Sequence, residues 1–145
     1  DSRFRCSQAS FLTKGTVLPF APKNRFTVTG TYTLPLDESL GELSVGATFT
    51  HTDKQFSSHS ADAAFEAGVI PFNASLSPAT DLLNLNLNWK DVAGAPIDFA
   101  LYATNVTNEK YYVGSAGGLS TLGGDALILG APRMYGARLK FKFGQ

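Results

Sequence analysis

Cysteine is almost absent: Cys6 stands alone in 145 residues, which excludes an internal disulfide framework and any multi-cysteine metal site. Long apolar runs are missing as well, since no stretch approaches the roughly 18–20 residues that a transmembrane helix needs. Charged residues are few, at 17%, and the 12 basic and 12 acidic groups cancel. That balance leaves neither a basic patch for nucleic acid nor an acidic tail. The opening residues Asp1-Ser2-Arg3-Phe4-Arg5-Cys6 are followed by no apolar core of the signal-peptide kind.

What the chain does have is 14 glycines, 12% aromatic residues and many threonines. With so few charges, that mixture favours β structure over helix. The length suits one ordinary domain.

The dominant pattern is alternation of apolar and polar residues with period two, and it recurs five times. Phe26, Val28, Gly30, Tyr32 and Leu34 alternate with Arg25, Thr27, Thr29, Thr31 and Thr33. After a turn over residues 35–42, Leu43, Val45, Ala47 and Phe49 alternate with Ser44, Gly46, Thr48 and Thr50. The third stretch sets Leu83, Leu85, Leu87 and Trp89 against Asn84, Asn86, Asn88 and Lys90. A second short turn at 91–96 leads to Ile97, Phe99, Leu101 and Ala103, set against Asp98, Ala100, Tyr102 and Thr104. The last stretch places Tyr135, Ala137, Leu139, Phe141 and Phe143 opposite Gly136, Arg138, Lys140 and Lys142. The best helical candidate, Ser60 to Gly68, is short and belongs to a loop.

Between these strands two connections are short and two, near 58–80 and 113–132, are long and rich in Gly, Ser, Ala and Asp. Transmembrane β-barrels sort their connections in this way, with tight turns on one side and long loops on the other. Alternation itself has two readings. In a soluble sheet the apolar face packs on a core; in a membrane barrel it meets lipid while the polar face lines the lumen. Strands of about ten residues suit a tilted membrane span. Aromatics fall near the ends of the apolar stripes, Trp89 and Phe143 on the turn side and Tyr135, Tyr111 and Tyr112 on the long-loop side, in the manner of interfacial girdles. The polar face carries Lys90, Arg138, Lys140 and Lys142, which a wet lumen would solvate. The expected fold class is therefore all-β, an antiparallel transmembrane β-barrel segment. Spanning strands must close, and the smallest barrels have about eight. Five strands thus point to self-association or to a segment of a longer exported chain, and the missing signal peptide favours the segment.

A family resemblance enters on three segments. Asn105-Val106-Thr107-Asn108-Glu109-Lys110-Tyr111-Tyr112 resembles the Asn-Leu-Phe-Asp/Asn-x-x-Tyr segment late in the barrel of TonB-dependent outer-membrane receptors. Gly130-Ala131-Pro132-Arg133-Met134-Tyr135-Gly136, continuing to Phe143, resembles their closing strand, and Leu18-Pro19-Phe20-Ala21-Pro22-Lys23-Asn24 resembles the start of an earlier one. The resemblance implies a 22-stranded barrel of which residues 1–145 supply about the last five strands, with the plug and earlier strands elsewhere. It also implies TonB-coupled active uptake across the Gram-negative outer membrane of a scarce nutrient, such as a ferric siderophore, cobalamin or an oligosaccharide. The partners would be outer-membrane lipid, the rest of the barrel and its plug, and TonB. The family usually ends on its terminal aromatic, whereas here Gly144 and Gln145 follow Phe143. A passive porin-like channel and a soluble ligand-binding β-barrel remain as alternatives.

Candidate site residues are sparse. Under the barrel topology Cys6 lies in an outer loop, either as half of a disulfide with a preceding partner or as an unpaired thiol. His51 and His59, with Asp53, Asp62 and Glu66 near them, are of metal-ligating type but have no ligand spacing. They read as solvated loop residues, and no metal or cofactor is expected. Arg138, Lys140 and Lys142 would pair with plug carboxylates or attract an anionic substrate. Asn84, Asn86 and Asn88 could meet sugar hydroxyls or simply wet the wall. Asn73-Ala74-Ser75 and Asn105-Val106-Thr107 fit the glycosylation pattern by chance. No catalytic spacing is present, so no enzyme is expected. Recognition is expected in the loops 58–80 and 113–132, without named ligand-binding residues.

Overall fold

The computed structural model describes residues 17–73, 75–116 and 126–144. They form two units. The first is a sheet built from residues 24–52, 80–110 and 130–144. The second comprises the described parts of the remaining chain, including residues 53–79.

Five strands make the sheet: β1 (Arg25–Thr33), β2 (Glu42–Thr52), β5 (Thr80–Lys90), β6 (Ile97–Thr104) and β9 (Met134–Phe141). Every pairing is antiparallel and the order is β1-β2-β5-β6-β9. Their sequences are rich in Thr, Val, Leu and aromatic side chains, which fit a pleated surface. Pro35 follows Leu34, and proline lacks the N–H that would continue the ladder.

The two tight turns carry the backbone conformations that reverse a strand. Gly41 closes the first with φ +81. A Cβ there would collide with the Lys90 and Asp91 carbonyl oxygens, so only glycine fits this close approach. The second turn holds Asp91, Ala93 and Gly94 in the left-handed region, and Gly94 N–H donates to the Asp91 carbonyl at 2.9 Å.

The all-β antiparallel expectation holds, and the sheet is open. β1 and β9 are its edges, and the described residues form no closed barrel. Two strands run further than alternation suggests, β5 beginning at Thr80 and β2 continuing to Thr52, whereas β1 ends at Thr33 and β9 at Phe141, short of Leu34 and Phe143. Backbone pairing persists through Thr50↔Leu82, His51↔Asp81 and Thr52↔Thr80, although the polar–apolar order inverts there. Ladder hydrogen bonds need no particular side chain, so pairing outlasts the pattern.

The second unit contains structure the alternation did not reveal. Strands β3 (Gln55–Phe56) and β4 (Leu76–Ser77) pair, as do β7 (Tyr112–Ala116) and β8 (Ala126–Leu129). These strands are too short or irregular for a period to register. The segment read as loop from Ser60 contains an eight-residue helix, α1 (His59–Glu66). Ser58 Oγ accepts from Ala61 N–H at 3.4 Å at its start, and Gly68, at φ +70, follows its end.

Burial is scant. Among the described residues, only Ala61 and Ala100 are buried hydrophobics, and no large side chain is fully buried.

Candidate functional site: the two faces of the sheet

Residues paired across strands project from the same face, so register decides what each face displays. On one face the rows run Gly30, Ala47, Leu85, Ala103, Tyr135 and Tyr32, Val45, Leu87, Leu101, Ala137. All five apolar stripes converge there. Val28 is 61% exposed, Leu85 40% and Phe141 51%. This greasy face has no apolar layer behind it within the sheet unit.

The opposite face is polar, and its charges gather at the short-turn edge. Lys142 Nζ lies 2.6 Å from Asp91 Oδ1 and 2.9 Å from Asp98 Oδ1. Lys90 Nζ meets Glu42 Oε1 at 2.7 Å, and Lys140 approaches Asp98 at 4.0 Å. Asp91 N–H donates to Asp98 Oδ1 at 3.1 Å, drawing the second turn onto the cluster. The lysines expected to await outside carboxylates are thus matched within the sheet itself. Arg138 differs, having no ion-pair partner among the described residues. It borders a depression of about 750 Å³ with Thr31, Ser44, Asn88 and Lys90.

The middle of this face is uncharged. Thr27 and Thr50 hydroxyls lie 3.1 Å apart, and those of Thr29 and Thr48 3.2 Å. Asn88 donates weakly to Asn86 Oδ1 at 3.3 Å. Tyr102, which the sequence did not single out, lies across Gly136, and Asn86 lies across Gly46. Only the cross-strand register could reveal those contacts, because 34 and 40 positions separate the partners in the chain.

At the long-loop edge the apolar face changes character. His51 Nδ1 is 2.6 Å from Asp81 Oδ1, and its ring stacks on Phe26 at 5.2 Å. His51 is a half-buried strand residue, not a solvated loop one. His59 lies in α1, as do Asp62 and Glu66. Asp62 accepts from Asn73 Nδ2 at 2.7 Å. No group of three or more His, Cys, Asp or Glu side chains among the described residues could hold a metal ion.

Residues 105–109 and 131–133, from two of the segments quoted above for their resemblance, meet in space. Asn105, only 4% exposed, adopts φ +49. Its Nδ2 donates to the Glu109 and Ala131 carbonyls at 2.8 and 3.1 Å, and its Oδ1 accepts from Glu109 N–H at 2.8 Å. Its own N–H donates to Asn84 Oδ1 at 2.9 Å, and Arg133 N–H reaches Asn108 Oδ1 at 3.4 Å. Arg133 also sits over the Tyr135 ring at 5.8 Å. One asparagine thus ties the exit of β6 to the start of β9.

Both glycosylation-like asparagines are buried and engaged: Asn73 holds Asp62 and accepts from Ser75 Oγ at 2.6 Å. Phe143 is exposed and stacks on Phe141 at 6.3 Å. Cys6 and residues 117–125 of the second long loop lie outside the described residues. The fold and these contacts define an amphipathic antiparallel sheet with a neutral polar centre and a charged rim. No protein family, curated protein or solved structure matches the chain.

Proposed function

We propose that this chain is a stretch of wall, about five strands, in a 22-stranded outer-membrane β-barrel of the TonB-dependent receptor type. The apolar face meets lipid, the polar face borders the lumen, and the long loops face the exterior. In this reading the protein takes up a scarce nutrient, with a plug carried elsewhere in the protein and energy delivered through TonB.

One observation carries the proposal: the register gathers every apolar stripe onto a single face, which no apolar layer covers among the described residues of the sheet unit. A soluble ligand-binding barrel would turn that face inward. The apolar stripe of β9 and its continuation, Tyr135 to Phe143, rises about 27 Å along the strand, comparable to the apolar band of such barrels before tilt.

Strand direction adds support. β1, β5 and β9 run one way and β2 and β6 the other. Both edges of the sheet are therefore parallel to each other. Copies of this chain closing edge to edge would place β1 beside β9 in parallel, which antiparallel outer-membrane barrels do not use. An odd number of further strands from the same barrel completes the wall without that mismatch.

The test uses nitroxide labels on Leu85→Cys and Asn86→Cys in the protein carrying this chain, reconstituted in lipid. The expected result is high accessibility to oxygen at position 85 and to a soluble nickel chelate at position 86. The reverse pattern, or the same pattern at both, overturns the proposal.

A further inference from the structure

The centre of the polar face carries a feature that a merely wet wall does not require. Thr31, Gly46, Asn86, Tyr102 and Gly136 form one cross-strand row. Asn86 and Tyr102 are direct partners, and their side chains lie down in opposite directions, each over a glycine of the outer neighbour strand. A Cβ on Gly136 would collide with the Tyr102 phenol, and one on Gly46 would sit 2.6 Å from Asn86 Oδ1. Two glycines in one row thus allow an amide and an aromatic ring to lie low on the sheet. Tyr102 remains 49% exposed.

The chemistry around this platform is uncharged except at one corner. The row on one side holds Thr48 and Asn84, and the row on the other holds Ser44, Asn88, the small Ala100 and, at its β9 end, Arg138. Asn88 Nδ2 reaches Asn86 Oδ1 only weakly, at 3.3 Å. The Asn86 Nδ2 hydrogens and the Asn88 side-chain Oδ1 therefore have no partner among the described residues and remain for a ligand. The rim lysines Lys90 and Lys142 are matched by Glu42, Asp91 and Asp98, with Lys140 4.0 Å from Asp98, so that among the described residues Arg138 alone is an unmatched cation beside the platform, too little field to hold a polyanion.

We propose that this platform is a subsite for a neutral oligosaccharide, with Tyr102 covering a sugar ring and Asn86 and Asn88 bonding its hydroxyls. A pyranose presents a face of C–H groups and a rim of hydroxyls. An aromatic surface covers the first, and amides placed beside it, able both to donate and to accept, satisfy the second. The subsite deepens the uptake reading by naming a ligand class, and rests on it only in taking the polar face as the wetted one.

The experiment is calorimetric titration of the protein carrying this chain, in detergent, with maltohexaose, cellohexaose and xylohexaose, and with citrate as an anionic control. At least one hexaose binds. Tyr102→Ala weakens that binding by about tenfold or more, whereas Tyr102→Phe keeps it within about threefold. Gly136→Ala, which lifts the ring while leaving the tyrosine in place, weakens it as well, and citrate shows no change. Circular dichroism of each variant matches the parent protein. Failure of all three hexaoses to bind, or unchanged binding by Tyr102→Ala, overturns the subsite. If the labels at positions 85 and 86 still report lipid and water, that failure removes the subsite alone and leaves the wall reading intact.

Discussion

Trp89 donates its indole N–H to the Leu40 carbonyl at 2.8 Å, tying the end of β5 to the turn between β1 and β2. The ring belongs to the apolar face, yet its one polar group is satisfied by the turn. An amphipathic side chain placed in this way suits a boundary between apolar and wet surroundings. Trp89→Phe keeps most of the ring and loses the bond. It should lower stability by about 1 kcal/mol, read as a shift in the urea midpoint of the lipid-reconstituted protein. An unchanged midpoint would mean that the bond contributes nothing net.

The two faces of β5 should respond oppositely to charge. Leu85→Arg places a guanidinium on the apolar face and should cost about 2–4 kcal/mol near the bilayer midplane. Asn86→Arg, one position along and on the polar face, should be nearly neutral for stability. Equal costs in reversible unfolding from lipid would contradict the orientation.

Asn105 combines a left-handed backbone with hydrogen bonds to Glu109, Ala131 and Asn84. Alanine removes the side-chain bonds, leaves the part-buried Glu109 and Ala131 carbonyls without their donor and is strained at positive φ. Asn105→Ala should therefore destabilise by about 2–4 kcal/mol. Asn108→Ala, whose side chain makes one longer bond to Arg133 N–H, should cost less. Denaturation midpoints of the two variants check the ranking.

Gly41 and Gly30 make a second contrast. At Gly41 a Cβ meets two backbone oxygens at φ +81, while at Gly30 nothing lies within 4 Å. Gly41→Ala should cost about 2 kcal/mol or more, and Gly30→Ala should stay within about 0.5 kcal/mol. Comparable midpoints for both would show that the turn relaxes freely.

Much of the sheet was legible because its signal is local. Side chains alternate with period two along a strand, so Leu83 to Trp89 announces a two-faced strand without knowledge of any neighbour. The turn at Gly41 and the stop at Pro35 are local for the same reason. The short pairs β3–β4 and β7–β8 were not legible, since two to five residues give a period too little length to register. The helix at His59–Glu66 was visible only as a short helical candidate, Ser60 to Gly68, assigned to a loop, because one capping serine and one glycine weigh little against eight residues of mixed character.

Within each strand the residues that share a face follow from their order in the chain, for the pleat leaves no choice. Which rows align across strands follows from the folded pairing, because antiparallel strands can slide in register without changing any local preference. That registration put Lys142 between two carboxylates, closed Asn105 around the start of β9 and laid Tyr102 across Gly136. Each of these joins residues far apart in the chain, and a one-strand pattern carries no information about such partners.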